Sequence, residues 1–331
     1  MKNFYKLTSK IMLFASTLLF SVVFSQTFTQ KTSGTTFIIY DMCTSPTNSN
    51  ILYGVTSQYT QKSKGEVIKS TDAGETWTTK YSISNNSFSN VAFVSDTKGF
   101  IAGFGIFQKT SDGGTTWQDV TLPQATNTFD SFIGLEFYDA NVGVVFGHLI
   151  SNGNYVGFQT TDGGTTWTTT NSTSAFANFD VTYAAANTLY SVGGDQKLAK
   201  STDGGNNWTQ MSAGIFQSMY FRTEFKDANN GFITSEDGTI FRTTNGGTSL
   251  SQVFTTFYHN FYGTYYKGNV MMVAGTDEDI YISSDNGTTW SMLFNGTGSR
   301  TMYSINQIDA STIIVAGSGG TIYKGTNLTL A

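Results

Sequence analysis

The sequence predicts an all-β fold, a seven-bladed β-propeller of four-stranded blades in which the N-terminal strand closes the last blade. Three observations carry this reading. An eight-residue phrase recurs as STDAGETW (70–77), TSDGGTTW (110–117), TTDGGTTW (160–167), STDGGNNW (201–208), TTNGGTSL (243–250) and SSDNGTTW (283–290). Its third positions, Asp72, Asp112, Asp162, Asp203, Asn245 and Asp285, lie 40, 50, 41, 42 and 40 residues apart; self-similarity near 40 residues with strand-like filling marks a solenoid or a propeller. The composition agrees, since abundant Gly, Thr and aromatics with two prolines and only 12% charged residues suit short strands and tight turns.

The elements follow in chain order. Residues 1–25 read as a signal peptide: Lys2, Lys6 and Lys10, then an apolar run from Ile11 to Phe24, then small Ser25. That run is too short to span a bilayer comfortably, and no later stretch is longer, so export to the periplasm or the medium is expected, with no membrane span. Residues 26–331 form the propeller domain. In the second repeat, SNVAFVS (89–95), FIAGF (100–104), the strand entering TSDGGTTW and a short polar strand at 118–121 give four strands with turn residues between them, which is one blade. Radial stacking lets each blade cover its neighbour. After the sixth phrase, INQIDAS, TIIVAGS and GTIYKGTN supply three strands of a seventh blade. The fourth is expected at the other end of the chain, because TFTQKTS (27–33) matches TWTTKYS (76–82), with Phe28 in place of Trp77. Closing the ring in this way removes the free sheet edges at which β proteins aggregate.

The repeated phrase itself reads as structural. Glycines adopt turn angles that other residues avoid, a short Asp side chain accepts hydrogen bonds from turn N–H groups, and the Trp anchors the turn against the sheet. The expected anchors are Trp77, Trp117, Trp167, Trp208 and Trp290. The fifth copy replaces Asp with Asn245 and Trp with Leu250, a change that a turn tolerates and a catalytic acid does not.

The pattern S/T-x-D-x-G-x-T-W resembles the Asp box (BNR repeat) of sialidases, sortilin-type receptors, xyloglucanases and the photosystem II stability and assembly factor group. The strongest resemblance is to the last of these, through DTKGFIAGFGIFQKTSDGGTTW (96–117), DANVGVVFG (139–147) and DANNGFITSEDGTIFRTTNGG (227–247). It covers essentially all of residues 26–331 and implies a propeller that binds or assembles other molecules. The basic surface of the photosynthetic members is missing, since the only arginines are Arg222, Arg242 and Arg300.

An enzyme is the alternative. The resemblance to sialidases would imply an arginine triad and an early F-R-I-P segment, yet no Arg precedes residue 222 and Phe221-Arg222-Thr223 lacks the Pro. Xyloglucanase-type enzymes use two propellers, and this chain has one. General glycoside hydrolysis needs two carboxyl groups across a sugar. Glu136 and Glu224, in GLEF and RTEF of the third and fifth innermost strands, could face the central channel beside Arg222; an ion-paired or solvated lining is the preferred reading, and no catalytic residue is assigned. His148 and His259 are isolated and read as loop residues. The acidic GTDED (275–279) lacks EF-hand spacing, so no metal and no cofactor are expected. A single cysteine, Cys43, excludes an internal disulfide. A net charge of −5 without Lys/Arg clusters argues against nucleic acid.

Binding is expected on the face opposite the repeated turns, built by the links between blades, and these links are rich in aromatics, for example TFDSF (128–132), AFANF (175–179), IFQSMYF (215–221) and FYHNFYGTYY (257–266). Aromatic rings offer flat apolar area with a polar tip. The candidate contact residues are Phe216, Tyr220, Phe257, Tyr258, His259, Tyr262 and Arg300, with the loops at 56–65 and 147–155 as a rim. The expectation is thus an exported, monomeric, non-catalytic binding module for a protein or glycan partner.

Overall fold

The computed structural model describes residues 26–58, 63–124, 128–171, 179–194, 197–211 and 219–330. The strands among them form seven separate antiparallel four-stranded sheets. Counted along the chain, the innermost strands are Ile38–Thr44, Ser87–Phe93, Phe129–Phe137, Asp180–Ala185, Tyr220–Phe225, Phe261–Lys267 and Met302–Asp309. Each blade then steps outward, strand by strand, in sequence order.

The seventh blade breaks that order as expected. Its outer strand is Thr27–Thr32, paired antiparallel with Thr321–Thr326 in the register Thr27↔Thr326 to Thr32↔Thr321. Phe28 stacks on Phe294 of blade 6, with ring centroids 4.5 Å apart. The ring is therefore closed by hydrogen bonds between segments almost 300 residues apart, a costly loop to close and one repaid by removing two sheet edges.

Packing between blades holds the wheel together. The second strand of a blade is covered on both faces by its neighbours, so Leu52–Ser57, Val270–Gly275 and Thr312–Gly317 are buried at every position instead of alternating. Among the described residues the core is divided accordingly into seven clusters, each shared by two adjacent blades. The cluster across the closure joins Ile314, Ala316 and Ile322 of blade 7 to Ile39, Leu52, Ile68 and Trp77 of blade 1.

The repeated turns supply one wedge to each of six interfaces. Trp77, Trp117, Trp167 and Trp208 are buried between their own blade and the preceding one, Leu250 does the same in blade 5, and the partly buried Trp290 packs in blade 6. In the first turn, Asp72 Oδ1 accepts from Ser70 Oγ at 2.8 Å and from Thr76 N at 2.9 Å, while Oδ2 accepts from Thr76 Oγ1 at 2.6 Å. Ser70 Oγ also accepts from Gly74 N at 2.9 Å, and Trp77 Nε1 donates to Gly74 O at 3.2 Å. The third turn shows why the second glycine is needed. Gly164 has φ +76, and a Cβ there would lie 2.2 Å from the Phe100 ring of the preceding blade.

Candidate functional site

The strand order fixes what each end of the ring carries. The acidic turns share one end with the loops after the innermost strands, to which they are bonded directly, as in Gly113 N to Thr97 O at 2.9 Å and Gly246 N to Asn229 O at 2.9 Å. The other end carries the links between blades and the hairpins between second and third strands. These too are bonded to each other: Thr256 N to Gly238 O, Thr276 N to Asn260 O and Glu278 N to Arg300 O, at 3.2, 3.1 and 2.9 Å. Five of the seven large hydrophobics that are exposed among the described residues lie on this link face: Ile150, Phe179, Met219, Phe257 and Tyr258. Of the other two, Tyr138 is at the acidic-turn end and Met292 is on an outer strand.

The most exposed of them belong to the link between blades 5 and 6. Phe257 is 68% and Tyr258 86% accessible, and Phe257 holds a left-handed φ of +66, uncommon for a bulky residue. Side chains from two blades pin this loop. Phe257 N donates to Thr255 Oγ1 and His259 N to Thr256 Oγ1, at 3.3 and 3.2 Å. The His259 ring lies between two carboxylates of the next hairpin, with Nδ1 2.8 Å from Asp279 Oδ2 and Nε2 3.3 Å from Asp277 Oδ2. Burial raises the Asp279 carboxyl above its ordinary range, and the bond to His259 counters part of that rise. Asp277 and Glu278 are also left-handed, at φ +58 and +63. Glu278 is buried and accepts from Gly298 N and Tyr323 Oη, so it ties down the following link.

Towards the axis, rings of consecutive innermost strands meet edge by edge. Tyr40, Tyr303, Tyr262 and Phe221, of blades 1, 7, 6 and 5, have successive centroid separations of 5.3, 5.5 and 5.1 Å. Charged groups one to three residues further along the strands line a central cavity of about 290 Å³, including Asp41, Glu136, Asp180, Arg222 and Glu224. Most of them stitch neighbouring blades. Asp41 Oδ2 accepts from Val91 N and Asp180 Oδ2 from Thr223 N, at 2.9 and 2.8 Å. Glu224 Oε1 accepts from Thr264 Oγ1 at 3.2 Å, and Arg222 Nε donates to Tyr262 O at 2.7 Å. The nearest ion pair is a loose one, Arg222 Nη1 to Asp180 Oδ1 at 3.6 Å. Removal from bulk water is the main reason these carboxyls titrate high, with Asp41 at about 7, Asp180 at about 6 and Glu224 at about 8. Glu136 is pushed well above its ordinary range by the same cause, and by Glu224.

The sequence-derived candidates divide as follows. Phe257, Tyr258 and His259 share one loop. Arg300 is in the next link, where its Nη1 donates to Thr321 Oγ1 at 2.6 Å beside a separate surface cavity of about 630 Å³ lined by residues 30–37. Tyr262 belongs to the ring of aromatics around the axis, not to that loop. Tyr220 must be corrected. It is buried against Phe241 in the core between blades 4 and 5, because the irregularity between Tyr220 and Arg222 breaks the alternation of the strand, setting Tyr220 on the core side while Arg222 and Glu224 line the cavity and Phe221 meets Tyr262. Phe216 and most of AFANF and IFQSM lie outside the described residues, as does 59–62 of the first proposed rim loop. His259 is no free loop residue, and His148 is likewise paired, its Nδ1 2.7 Å from Asp130 Oδ1. Asp41 and Asp180 were not anticipated; an aromatic followed by a polar residue at the same register of the innermost strands, Tyr40-Asp41, Phe179-Asp180 and Phe221-Arg222, is the signal that would have found them. Among the described residues no group of three or more His, Cys, Asp or Glu side chains is arranged to hold a metal ion, and no helix is long and apolar enough to cross a membrane.

Comparison with known proteins places this architecture. Residues 148–244, from the second strand of blade 3 to the turn of blade 5, match the family described as photosynthesis system II assembly factor YCF48. Among solved structures, YCF48 from Cyanidioschyzon merolae superposes with a TM-score of 0.72 at 18% identity, covering 90% of this chain and 98% of that one. A YCF48 bound to D1 peptide gives 0.69 at 16% identity, covering 90% and 96%. An ancestral GH74 enzyme gives 0.64 at 17% identity over 87% of this chain and 45% of its own. No curated protein matches the sequence. The resemblance to the photosystem II assembly factor propellers thus holds for the fold as a whole and for the sequence over residues 148–244.

Proposed function

We propose that this chain is an exported, non-catalytic propeller that binds a protein partner on its link face, as an assembly or surface-interaction factor. The observation that carries the proposal is the crowding of exposed large hydrophobics on that face, with Phe257 and Tyr258 held out into water by a pinned, left-handed loop. Exposed aromatic anchors on a rigid scaffold are what protein interfaces use for most of their affinity. That a similar propeller, YCF48, has been seen bound to a peptide supports a polypeptide as the ligand. The reading of residues 1–25 as an export signal supports a partner in the envelope or outside the cell.

The test is capture from the envelope fraction with the wild-type chain and with Phe257→Ser/Tyr258→Ser, followed by mass spectrometry. Proteins retained by the wild type and lost by the double variant are the expected result, and identical capture by both would remove the proposal. A glycan array and a reducing-sugar assay run in parallel. Sugar release that Glu224→Gln abolishes would put a hydrolase in place of the binding module.

A further inference from the structure

The loop that presents Phe257 and Tyr258 is flanked on both sides by hairpins that carry acidic residues. On one side Thr255 Oγ1 donates to the backbone oxygen of Asp237, at 3.3 Å, which places that exposed residue against the base of the loop. On the other, Asp277 lies against His259 and is 54% accessible. Between them the chain is fixed at Thr256, which exchanges hydrogen bonds with both the N–H and the carbonyl of His259 at 3.2 Å. The loop that carries the two rings therefore lies between two hairpins that each bear a surface carboxylate, and among the described residues no Lys or Arg forms an ion pair with either Asp237 or Asp277.

From this we infer that the Phe257–Tyr258 loop docks a lysine- or arginine-bearing segment of the partner protein, an inference that rests on the link face being the protein-binding one. A cation seated over the face of an aromatic ring is attracted by the ring quadrupole, and a carboxylate beside it neutralises the charge. The alkyl stem of Lys or Arg covers the apolar part of the ring while its head reaches the carboxylate. An acidic segment or an anionic lipid surface is repelled by the same two groups, so the arrangement selects against them as well as for a cationic partner. His259 is a positioning residue here, because its contacts to Asp277 and Asp279 fasten the loop of one blade link to the hairpin of the next blade. Left-handed φ values at Phe257 and Asp277 indicate backbone held away from its easiest conformation in this presenting segment.

The experiment uses the full chain and three short fluorescein-labelled peptides that share their aromatic residues and carry lysine, acetyl-lysine or glutamate at the remaining positions. Fluorescence anisotropy should show binding of the lysine peptide that weakens with added salt, and little binding of the other two. Tyr258→Ala, which alters a highly exposed residue and should leave folding intact, is expected to weaken that binding by roughly three- to tenfold, as is Asp237→Asn/Asp277→Asn. Tyr258→Phe should retain it. Equal binding of the lysine and acetyl-lysine peptides, or no effect of the asparagine pair, would overturn the inference. A partner captured through Phe257 and Tyr258 but indifferent to the asparagine pair leaves the docking face standing and refutes only its cationic preference; a partner indifferent to both variants removes both.

Discussion

Asp162 and Glu136 belong to the same blade, and their environments are opposite. Asp162 sits in the acidic turn at the rim, where its carboxylate accepts from Thr160 Oγ1, Thr165 N, Thr166 N and Thr166 Oγ1 at 2.9, 3.0, 2.9 and 2.7 Å. Glu136 faces the central cavity, and among the described residues no side-chain or backbone donor reaches it. The donors from Thr166 hold Asp162 at about 2, while removal from water pushes Glu136 well above its ordinary value. Whether a carboxyl in this fold is a fastener or a liability thus depends on burial set against donor supply, not on which blade carries it. The turn builds its own donors within eight residues. The channel must borrow them from neighbouring blades, and Asp41, Asp180 and Glu224 obtain one each.

If the rim turns are fasteners, their largest contribution is the buried ring and not the acid. Trp167 meets Phe107, Phe100 and Phe137 edge-on, at centroid distances of 5.2, 6.0 and 6.2 Å, and its Nε1 has no partner. Trp167→Ala should therefore cost about 3–5 kcal/mol in denaturant unfolding through the cavity it leaves. Trp167→Phe, which gives up no hydrogen bond, should cost far less. A loss under about 1 kcal/mol for the alanine variant would mean that the wedge does not seal blades 2 and 3.

The second test concerns the channel. Glu224 titrates at about 8 in the folded chain against an ordinary 4.5, so between those values the folded state holds a proton that the unfolded state has released. Stability then falls as pH rises, from its full value below about 4.5 to its lowest above about 8. Asp41 and Asp180, at about 7 and 6 against 3.8, act in the same direction. For Glu224 alone the displacement sets an upper bound of roughly 5 kcal/mol, which cavity water and Arg222 reduce. The melting temperature of the wild type should fall between pH 5 and pH 8. Glu136→Gln/Glu224→Gln, which removes two of the charges, should flatten that slope and raise the melting temperature at pH 8. An unchanged slope would show that the channel carboxyls are better supplied with donors than the geometry indicates.

The sequence alone revealed the wheel far better than its hub. Blade count, the turn at Asp72 and its copies, and the swap that pairs 27–32 with 321–326 all depend on residues close in sequence or on a repeat that can be laid over itself. The channel and the Phe257–Tyr258 loop depend on contacts between blades. Asp41 reaches Val91 fifty residues on, and His259 reaches Asp277 and Asp279 across a blade boundary, so no local pattern displays either pairing. Tyr220 and Phe221 show the finer limit. Both are aromatic, and only the irregularity between Tyr220 and Arg222 decides which is core and which meets Tyr262.

The smallest effect is expected where the repeat has already run the experiment. Blade 5 carries Asn245 at the acidic position, and its Oδ1 still accepts from Thr243 Oγ1 and Ser249 N, each at 3.0 Å. The contact to the following hydroxyl survives with its direction reversed, since Asn245 Nδ2 donates to Ser249 Oγ at 2.9 Å. Asp162→Asn can repeat this with Thr166, so its melting temperature at pH 7 should lie close to that of the wild type. The difference should appear in acid. Because the folded Asp162 titrates at about 2 against an ordinary 3.8, its stabilisation is complete above about 4 and is lost as pH falls towards 2. The asparagine variant carries no such group and should lose less than the wild type between pH 5 and pH 3. A loss at pH 7 as large as that of Trp167→Ala would mean that the negative charge itself, and not the acceptor geometry, fastens the turn.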